Sequence, residues 1–267
     1  MVYSQEFRAV SPTQPPAAWI GGKRQLAARL VGMISAIPHV TYAEPFVGMG
    51  GVFFRRTAAP KSEVINDRNG EVVNLFRILQ RHYPQFMDTL KFQITSRREF
   101  ERLKACNPSM LTDLERAARF LYLQKLAFGG KVNGQHFGVS LGRSARFNLT
   151  RLAPMLEDAH ERLAGVVLEN LDWSDFIDRY DRPGTLFYLD PPYFGSEDDY
   201  GKTLFGRDQF ATMAERLRRL QGRFILSIND VPEIRETFRG FHVEEANLTY
   251  SVSGGKGTAA RELLIAG

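Results

Sequence analysis

One stretch constrains this chain more than any other: Thr185-Leu186-Phe187-Tyr188-Leu189 followed by Asp190-Pro191-Pro192-Tyr193. The apolar and aromatic run reads as a buried strand. Neither proline donates a backbone hydrogen bond and both have a fixed φ, so the turn that follows is stiff. An acid and an aromatic ring are thereby held in fixed relation at the carboxyl end of a strand, where open α/β sheets bind ligands. That pairing suits a flat, amine-bearing group, with the ring stacked on its face and the carboxylate accepting an amine hydrogen. A polar loop that merely contains prolines is the bland alternative, and a second motif upstream argues against it.

The second motif is Glu44-Pro45-Phe46-Val47-Gly48-Met49-Gly50-Gly51. Val40 to Ala43 reads as the end of a strand before it, and Val52-Phe53-Phe54 as the opening of a helix after it. Glycines at 48, 50 and 51 let the backbone turn tightly and approach a ligand closely. Such a turn alone also fits nucleotide binders. Val64-Ile65 reads as a second short strand ending in Asn66-Asp67. Asp67 lies 19 residues past Gly48, near the spacing of roughly 20 at which an acid in these folds meets ribose hydroxyls. The dinucleotide fingerprint is broken, because Phe53 stands where its third glycine belongs. Ribose recognition without a pyrophosphate cradle points to an adenosine-bearing cofactor that lacks phosphates.

Together these residues resemble the Dam-like family of DNA adenine-N6 methyltransferases. The resemblance covers most of the chain. It includes Trp19-Ile20-Gly21-Gly22-Lys23, Glu44 to Gly51, Asn66-Asp67, Phe120-Leu121-Tyr122-Leu123 and Asp190 to Tyr193. Ser227-Ile228-Asn229-Asp230 and Glu262-Leu263-Leu264-Ile265 look like late family strands. The motif order resembles the subgroup whose target-recognition region lies between the cofactor and catalytic motifs. The resemblance implies an α/β fold, a Rossmann-like methyltransferase sheet with an inserted, mainly helical DNA-recognition domain. It implies S-adenosyl-L-methionine as methyl donor and site-specific methylation of an adenine flipped out of double-stranded DNA.

Roles carry over residue by residue. Asp190 and the Pro191 carbonyl are expected to hold the adenine amine, with Pro192 stiffening the turn and Tyr193 stacking on the base. Phe46, Gly48 and Gly50 resemble residues packed against the donor, with Glu44 and Pro45 in the same motif. Asp67 would hold the ribose, and Trp19 would stack near the donor. Gly22 and Lys23 belong to the same unit, with Lys23 near the donor's carboxylate. Asp172 matches a cofactor-pocket strand end loosely and fits equally as an acid opening the helix Ser174 to Tyr180. Familiar members carry Asn-Arg and an aromatic residue after the Tyr-Leu pair. This chain has Gln124-Lys125-Leu126, so no target sequence carries across.

Charge is distributed in blocks. Lys91 to Arg151 holds twelve basic and four acidic residues, and Leu152 to Tyr200 three basic and twelve acidic. The basic block suits phosphates, where neutralisation releases counterions. Its pattern is helical: Glu71 to His82; Ser96 to Ala105, with Ser96 and Glu99 as a capping box; and Asp113 to Phe128, ended by Gly129-Gly130. Val132 to Ser144 reads as a hairpin or irregular loop. The expected division is a catalytic domain from residues 1–71 and 161–267, with an inserted recognition domain over 72–160. Gln124, Lys125 and Lys131 are the candidates for reading bases, and Arg143 and Arg146 for phosphates.

Composition sets outer bounds. The net charge of +5 in 267 residues favours polyanionic partners modestly. The single cysteine, Cys106, excludes an internal disulfide and fits a reducing, cytoplasmic compartment. No apolar run is long enough to span a membrane, and Met1 to Ala18, with three prolines, reads as a loose lead-in. Five histidines and one cysteine show no ligand spacing, so no metal site is expected. Beside DNA methylation two other classes stay open. One is methylation of RNA or of a protein glutamine, the latter disfavoured because it usually pairs with an asparagine where Asp190 stands. The other is a methyltransferase fold kept only for nucleic-acid binding, against which the intact Asp190, Tyr193 and glycine turn argue. Oligomeric state, monomer or dimer, is not written in the sequence.

Overall fold

The computed structural model describes residues 7–132, 134–138, 144–195, 205–250 and 258–267. Its centre is a seven-stranded sheet of order β5-β4-β2-β6-β7-β9-β8. The strands are β2 (Thr41–Glu44), β4 (Ser62–Asn66), β5 (Val167–Glu169), β6 (Thr185–Leu189), β7 (Arg223–Asn229), β8 (His242–Tyr250) and β9 (Thr258–Ala266). The first five in sheet order are parallel, and β9 runs antiparallel between β7 and β8. A short antiparallel pair, β1 (Arg8–Ala9) and β3 (Ala58–Ala59), lies outside it.

Nine helices are described: α1 (Ala27–Ala36), α2 (Gly70–Arg81), α3 (Tyr83–Leu90), α4 (Arg97–Ala105), α5 (Asp113–Leu126), α6 (Leu149–Leu163), α7 (Trp173–Tyr180), α8 (Asp208–Arg218) and α9 (Pro232–Thr237). Side chains of a strand alternate between its two faces, and β6 shows both faces covered. Leu186 and Tyr188 join a cluster with Leu30 of α1, Leu75 of α2, Leu121 of α5 and Leu156 of α6. Phe187 and Leu189 join a second cluster with Phe176 of α7, Met213 of α8 and Ile234 of α9. Burial on both faces is why β6 reads as one continuous apolar run. The helices between residues 70 and 163 share the first cluster with the sheet.

Three local expectations change. Val52-Phe53-Phe54 does not open a long helix. A single 3-10 turn, Phe53–Arg55, ends where Arg56 turns extended at ψ 142°. The Arg56 guanidinium is then drawn into a buried ion pair with Glu63. Helix α5 ends at Leu126 rather than Phe128, because Ala127 is extended and pairs with Phe137. Gly129 and Gly130, both at φ +70°, shape the turn that follows. Ser96 caps α4 by accepting from the Glu99 amide at 3.1 Å. The reciprocal half of that box is missing, because the Glu99 carboxylate takes Arg102 and Gln93 instead. A complete capping box sits one helix later, between Thr112 and Glu115.

Candidate active site

From β2 the chain builds outward through β4 to β5, then crosses back to start β6 on the other side of β2. The carboxyl ends of β2 and β6 therefore meet at the topological switch point, where such sheets place ligands. The glycine turn leaves β2 there, and Asp190-Pro191-Pro192-Tyr193 leaves β6. Between them opens a cavity of about 680 Å³. Trp19, Gly22, Lys23, Glu44, Phe46, Gly48, Asp67, Asp190 and Pro192 of the predicted set all line it. Pro45, Gly50, Pro191 and Tyr193 stand beside it rather than on its wall.

The turn after β2 is fixed by its neighbours. Gly48 sits at φ +50°, and a Cβ there would lie 2.6 Å from the Trp19 indole nitrogen. Trp19 thus packs on the glycine turn and also stands edge-on to Phe120, ring centroids 6.3 Å apart. Gly50, at φ +74°, faces the Phe54 ring, so its glycine serves packing rather than ligand approach. Asp67 accepts from the Gly48 amide at 2.8 Å and the Asn69 amide at 2.8 Å, one on each carboxylate oxygen. Each oxygen keeps a lone pair for another donor. Burial outweighs those two bonds and pushes the Asp67 carboxyl up to about 6. Glu44 lies deeper, hydrogen-bonded by the Tyr42 hydroxyl at 2.7 Å, and burial lifts it to about 8. Pro45 contributes its carbonyl to Asn66, whose side chain also meets Leu171 and so ties β2, β4 and the end of β5 together.

Asp190 stands on the other wall of the cavity. Among the described residues, its two hydrogen-bonding contacts, the Lys23 ammonium at 2.7 Å and the Ser227 hydroxyl at 3.1 Å, both fall on Oδ1. Burial raises its carboxyl to about 6, opposed by Lys23 and reinforced by the nearby Glu262. Lys23 itself differs from expectation. Its three N–H bonds go to Asp190, the Tyr193 hydroxyl at 2.8 Å and the Gly21 carbonyl at 3.0 Å. An ammonium has three donors, so none remains for a donor carboxylate. The Tyr193 hydroxyl in turn donates to Glu262.

Other predicted residues separate. Asp172 is the N-cap of α7, accepting from the Ser174 amide at 3.0 Å and its hydroxyl at 2.8 Å; the helix reading holds and the cavity reading does not. Gln124 is 1% exposed. Its amide donates to the Ala18 and Gly130 carbonyls and accepts from Gln135, so it braces the lead-in segment and cannot reach a base. Lys125 points the other way, into the main cavity and into a smaller adjoining one of about 410 Å³. Arg146 and Arg151 line that second cavity, and burial pulls the Lys125 ammonium below its ordinary value. Lys131 is exposed. Arg143 lies outside the described residues.

Ser227 and Glu262 were not picked out as site residues from sequence. Their signal is a lone polar residue at an inward position of an apolar strand, Leu226-Ser227-Ile228 and Glu262-Leu263-Leu264. No group of His, Cys, Asp and Glu among the described residues is arranged to hold a metal ion, and none of the described helices is long and apolar enough to cross a membrane.

Sheet order, cavity and paired strand-end turns define a Rossmann-like methyltransferase. Across residues 19–252 the sequence matches the D12 class N6 adenine-specific DNA methyltransferase family, and the chain belongs to that family. It is 25% identical over 237 residues to the type II methyltransferase M.CviBI of Paramecium bursaria Chlorella virus NC1A, covering 86% of this chain and 89% of the viral protein. It is 26% identical over 264 residues to the type II methyltransferase M1.LlaDCHI of Lactococcus lactis subsp. cremoris, covering 88% of each. The DNA N-6-adenine-methyltransferase of Escherichia phage P1 is 26% identical over 256 residues, which are 88% of this chain and 32% of the phage protein.

Proposed function

We propose that the cavity binds S-adenosyl-L-methionine beside the glycine turn and an adenine, flipped from duplex DNA, beside Asp190. The observation that carries the reading is Asp190 itself. Among the described residues, both of its polar contacts fall on Oδ1, which leaves Oδ2 to accept a hydrogen from the adenine amine. The residues present fit the donor. Asp67 holds spare lone pairs for ribose hydroxyls, Trp19 and Phe46 offer apolar walls, and Gly22 and Gly48 let Trp19 pack on the turn that lines the cavity. When bound, the donor supplies an electrophilic methyl group on a sulfonium sulfur.

The chain's own residues then act by orientation and electrostatics. Adenine's exocyclic nitrogen is a poor nucleophile because its lone pair is delocalised into the ring. A carboxylate on one amine hydrogen and the Pro191 carbonyl on the other favour a more tetrahedral nitrogen. Tyr193, its hydroxyl tethered, presents a ring of fixed plane for stacking. Flipping costs a few kcal/mol, which contacts from the 72–160 segment to the DNA backbone would offset. Arg146 would supply phosphate contacts, and Lys125 and the exposed Lys131 would read bases; Gln124, held on backbone carbonyls, would not.

Methyl transfer from labelled donor to unmethylated duplex DNA, set beside RNA and a glutamine-bearing peptide, tests the reading. Incorporation into duplex DNA at adenine, in a defined sequence context, is expected. Incorporation confined to RNA or peptide overturns it.

A further inference from the structure

The buried side chain of Glu262 has no part in the chemistry described above, yet it sits behind the reacting acid. Glu262 lies on β9, paired with Asn229 on β7 and Ala246 on β8. It is 1% exposed and is followed by three fully buried apolar residues. A carboxylate in such a place is costly unless partnered. Oε1 accepts the Tyr193 hydroxyl, and Oε2 lies 3.8 Å from the Lys23 ammonium. Lys23 and Tyr193 are the two groups that also bear on the Asp190 turn.

We propose that Glu262 is a positioning residue for methyl transfer: it shares the Lys23 ammonium with Asp190 and anchors the Tyr193 hydroxyl, so that Asp190 stays basic and the turn stays aimed. The proposal rests on the reading of Asp190 as the group that holds the adenine amine. One lysine stands between two carboxylates. The Glu262 carboxylate divides the Lys23 charge, so Asp190 is bound less tightly and remains a better acceptor. Without that carboxylate, Lys23 would serve Asp190 alone and quench it. The Tyr193 hydroxyl receives a hydrogen from Lys23 and gives its own to Glu262, so the tether has a fixed sense.

The other groups around Asp190 do not supply this effect. The Ser227 hydroxyl is neutral. Tyr188, hydrogen-bonded to Ser227, is fully buried, which pushes its hydroxyl well above its ordinary value and keeps it neutral. Glu44 is lifted to about 8 by burial and is largely protonated at neutral pH. Among the described residues, Lys23 and Glu262 are the charged pair that sets the balance, Glu262 acting to raise Asp190 while Lys23 acts to lower it.

The test is the pH profile of methyl transfer in wild type, Glu262→Gln and Glu262→Asp, with donor affinity measured by calorimetry on the same samples. Glutamine keeps an acceptor for Tyr193 and removes the charge. For Glu262→Gln, turnover is expected to fall about tenfold to a hundredfold, the cost of a slightly misplaced and over-paired acid. Its acidic limb should move down by about half a pH unit or more, because an opposing negative charge has gone. Donor affinity should stay within about twofold. Glu262→Asp keeps the charge but withdraws it by one methylene, so its limb should stay closer to wild type and its turnover should be intermediate. A limb that stays put in both variants, with turnover falling only as thermal stability falls, overturns the proposal; so does wild-type turnover in Glu262→Gln. Should Glu262→Gln not fold, Glu262→Asp decides alone: a smaller downward movement of its limb supports the proposal, and an unmoved limb overturns it. A wild-type protein that methylates no DNA would instead refute the functional reading.

Discussion

Replacing Asp190 with asparagine should remove activity and stabilise the fold at the same time. Asparagine keeps an oxygen for Lys23 and Ser227 where Oδ1 stood. It places an NH2 group where Oδ2 would accept the adenine amine, so donor faces donor. Losing a charge-assisted hydrogen bond worth about 1.5–3 kcal/mol lowers turnover about 10- to 150-fold, and the opposing NH2 pushes the loss to the upper end or beyond. Stability moves the other way. The Asp190 carboxyl is raised from 3.8 to about 6 in the fold, so the folded chain holds its proton more tightly than the unfolded one. Its contribution is fully favourable below pH 3.8 and is lost as pH rises through about 6. At pH 8 the ionised side chain therefore costs at most ~3 kcal/mol, which asparagine relieves. Thermal unfolding at pH 5 and pH 8, beside a labelled-methyl assay, reads both halves. Asparagine should raise the melting temperature at pH 8 more than at pH 5 and leave donor binding nearly intact. Wild-type turnover, or equal effects on stability at the two pH values, would refute the account of Asp190 as a buried acid held ready for the amine.

Other outcomes follow from the same geometry. Asp67→Ala should weaken donor binding by about 10- to 150-fold in calorimetry, from a lost charged hydrogen bond, and leave DNA affinity unchanged. Gly48→Ala forces a Cβ to 2.6 Å from the Trp19 indole at a positive φ, so donor affinity and melting temperature should both drop. Gln124→Ala leaves the Ala18 and Gly130 carbonyls unmatched and should cost about 1–3 kcal/mol in denaturant unfolding, with the methylated sequence unaltered. Arg146→Ala, by contrast, should leave stability alone, weaken binding to all DNA sequences and flatten its salt dependence in titrations. Glu44→Gln should flatten the loss of stability that wild type shows as pH rises from about 4.5 to about 8, since burial lifts this acid across that window.

What was legible in the sequence was chemistry confined to a few adjacent residues. A strand running into Asp190-Pro191-Pro192-Tyr193 fixes its own turn, and Gly48 to Gly51 fix theirs, whatever packs around them. Asp67 was legible through its spacing alone. Placement of polar side chains was not, because each depends on partners far along the chain. Gln124 sits on a helix whose sequence leaves its facing open, and the Ala18 carbonyl, 106 residues away, joins the Gly130 carbonyl and Gln135 in holding it inward. Lys125, its neighbour, is left facing the cavity by the same packing. The end of α5 was misjudged for a related reason: Gly129-Gly130 is a local stop signal, but a backbone bridge from Ala127 to Phe137 stops the helix earlier.

Lys23 shows how far such long-range effects reach into function. Next to Gly21-Gly22 it reads as a residue for the donor, and it does line the cavity proposed for the donor. Yet its ammonium is spent on Asp190, 167 residues later in sequence, and on Tyr193, 170 residues later. On the proposed reading, the segment that opens the donor site also holds the acid of the acceptor site. A shift of the loop from Trp19 to Lys23 on donor binding would then move charge at Asp190. In Lys23→Met the cation is gone while Asp190 and Glu262 remain, a half-buried and a buried carboxylate without their shared partner. The first of them should then take up a proton at higher pH, because like charges held close cannot both ionise cheaply. The acidic limb of methyl transfer would move up, opposite to its expected movement in Glu262→Gln. A limb moving the same way in both variants would show that Lys23 does not stand between the two acids as a shared counter-ion.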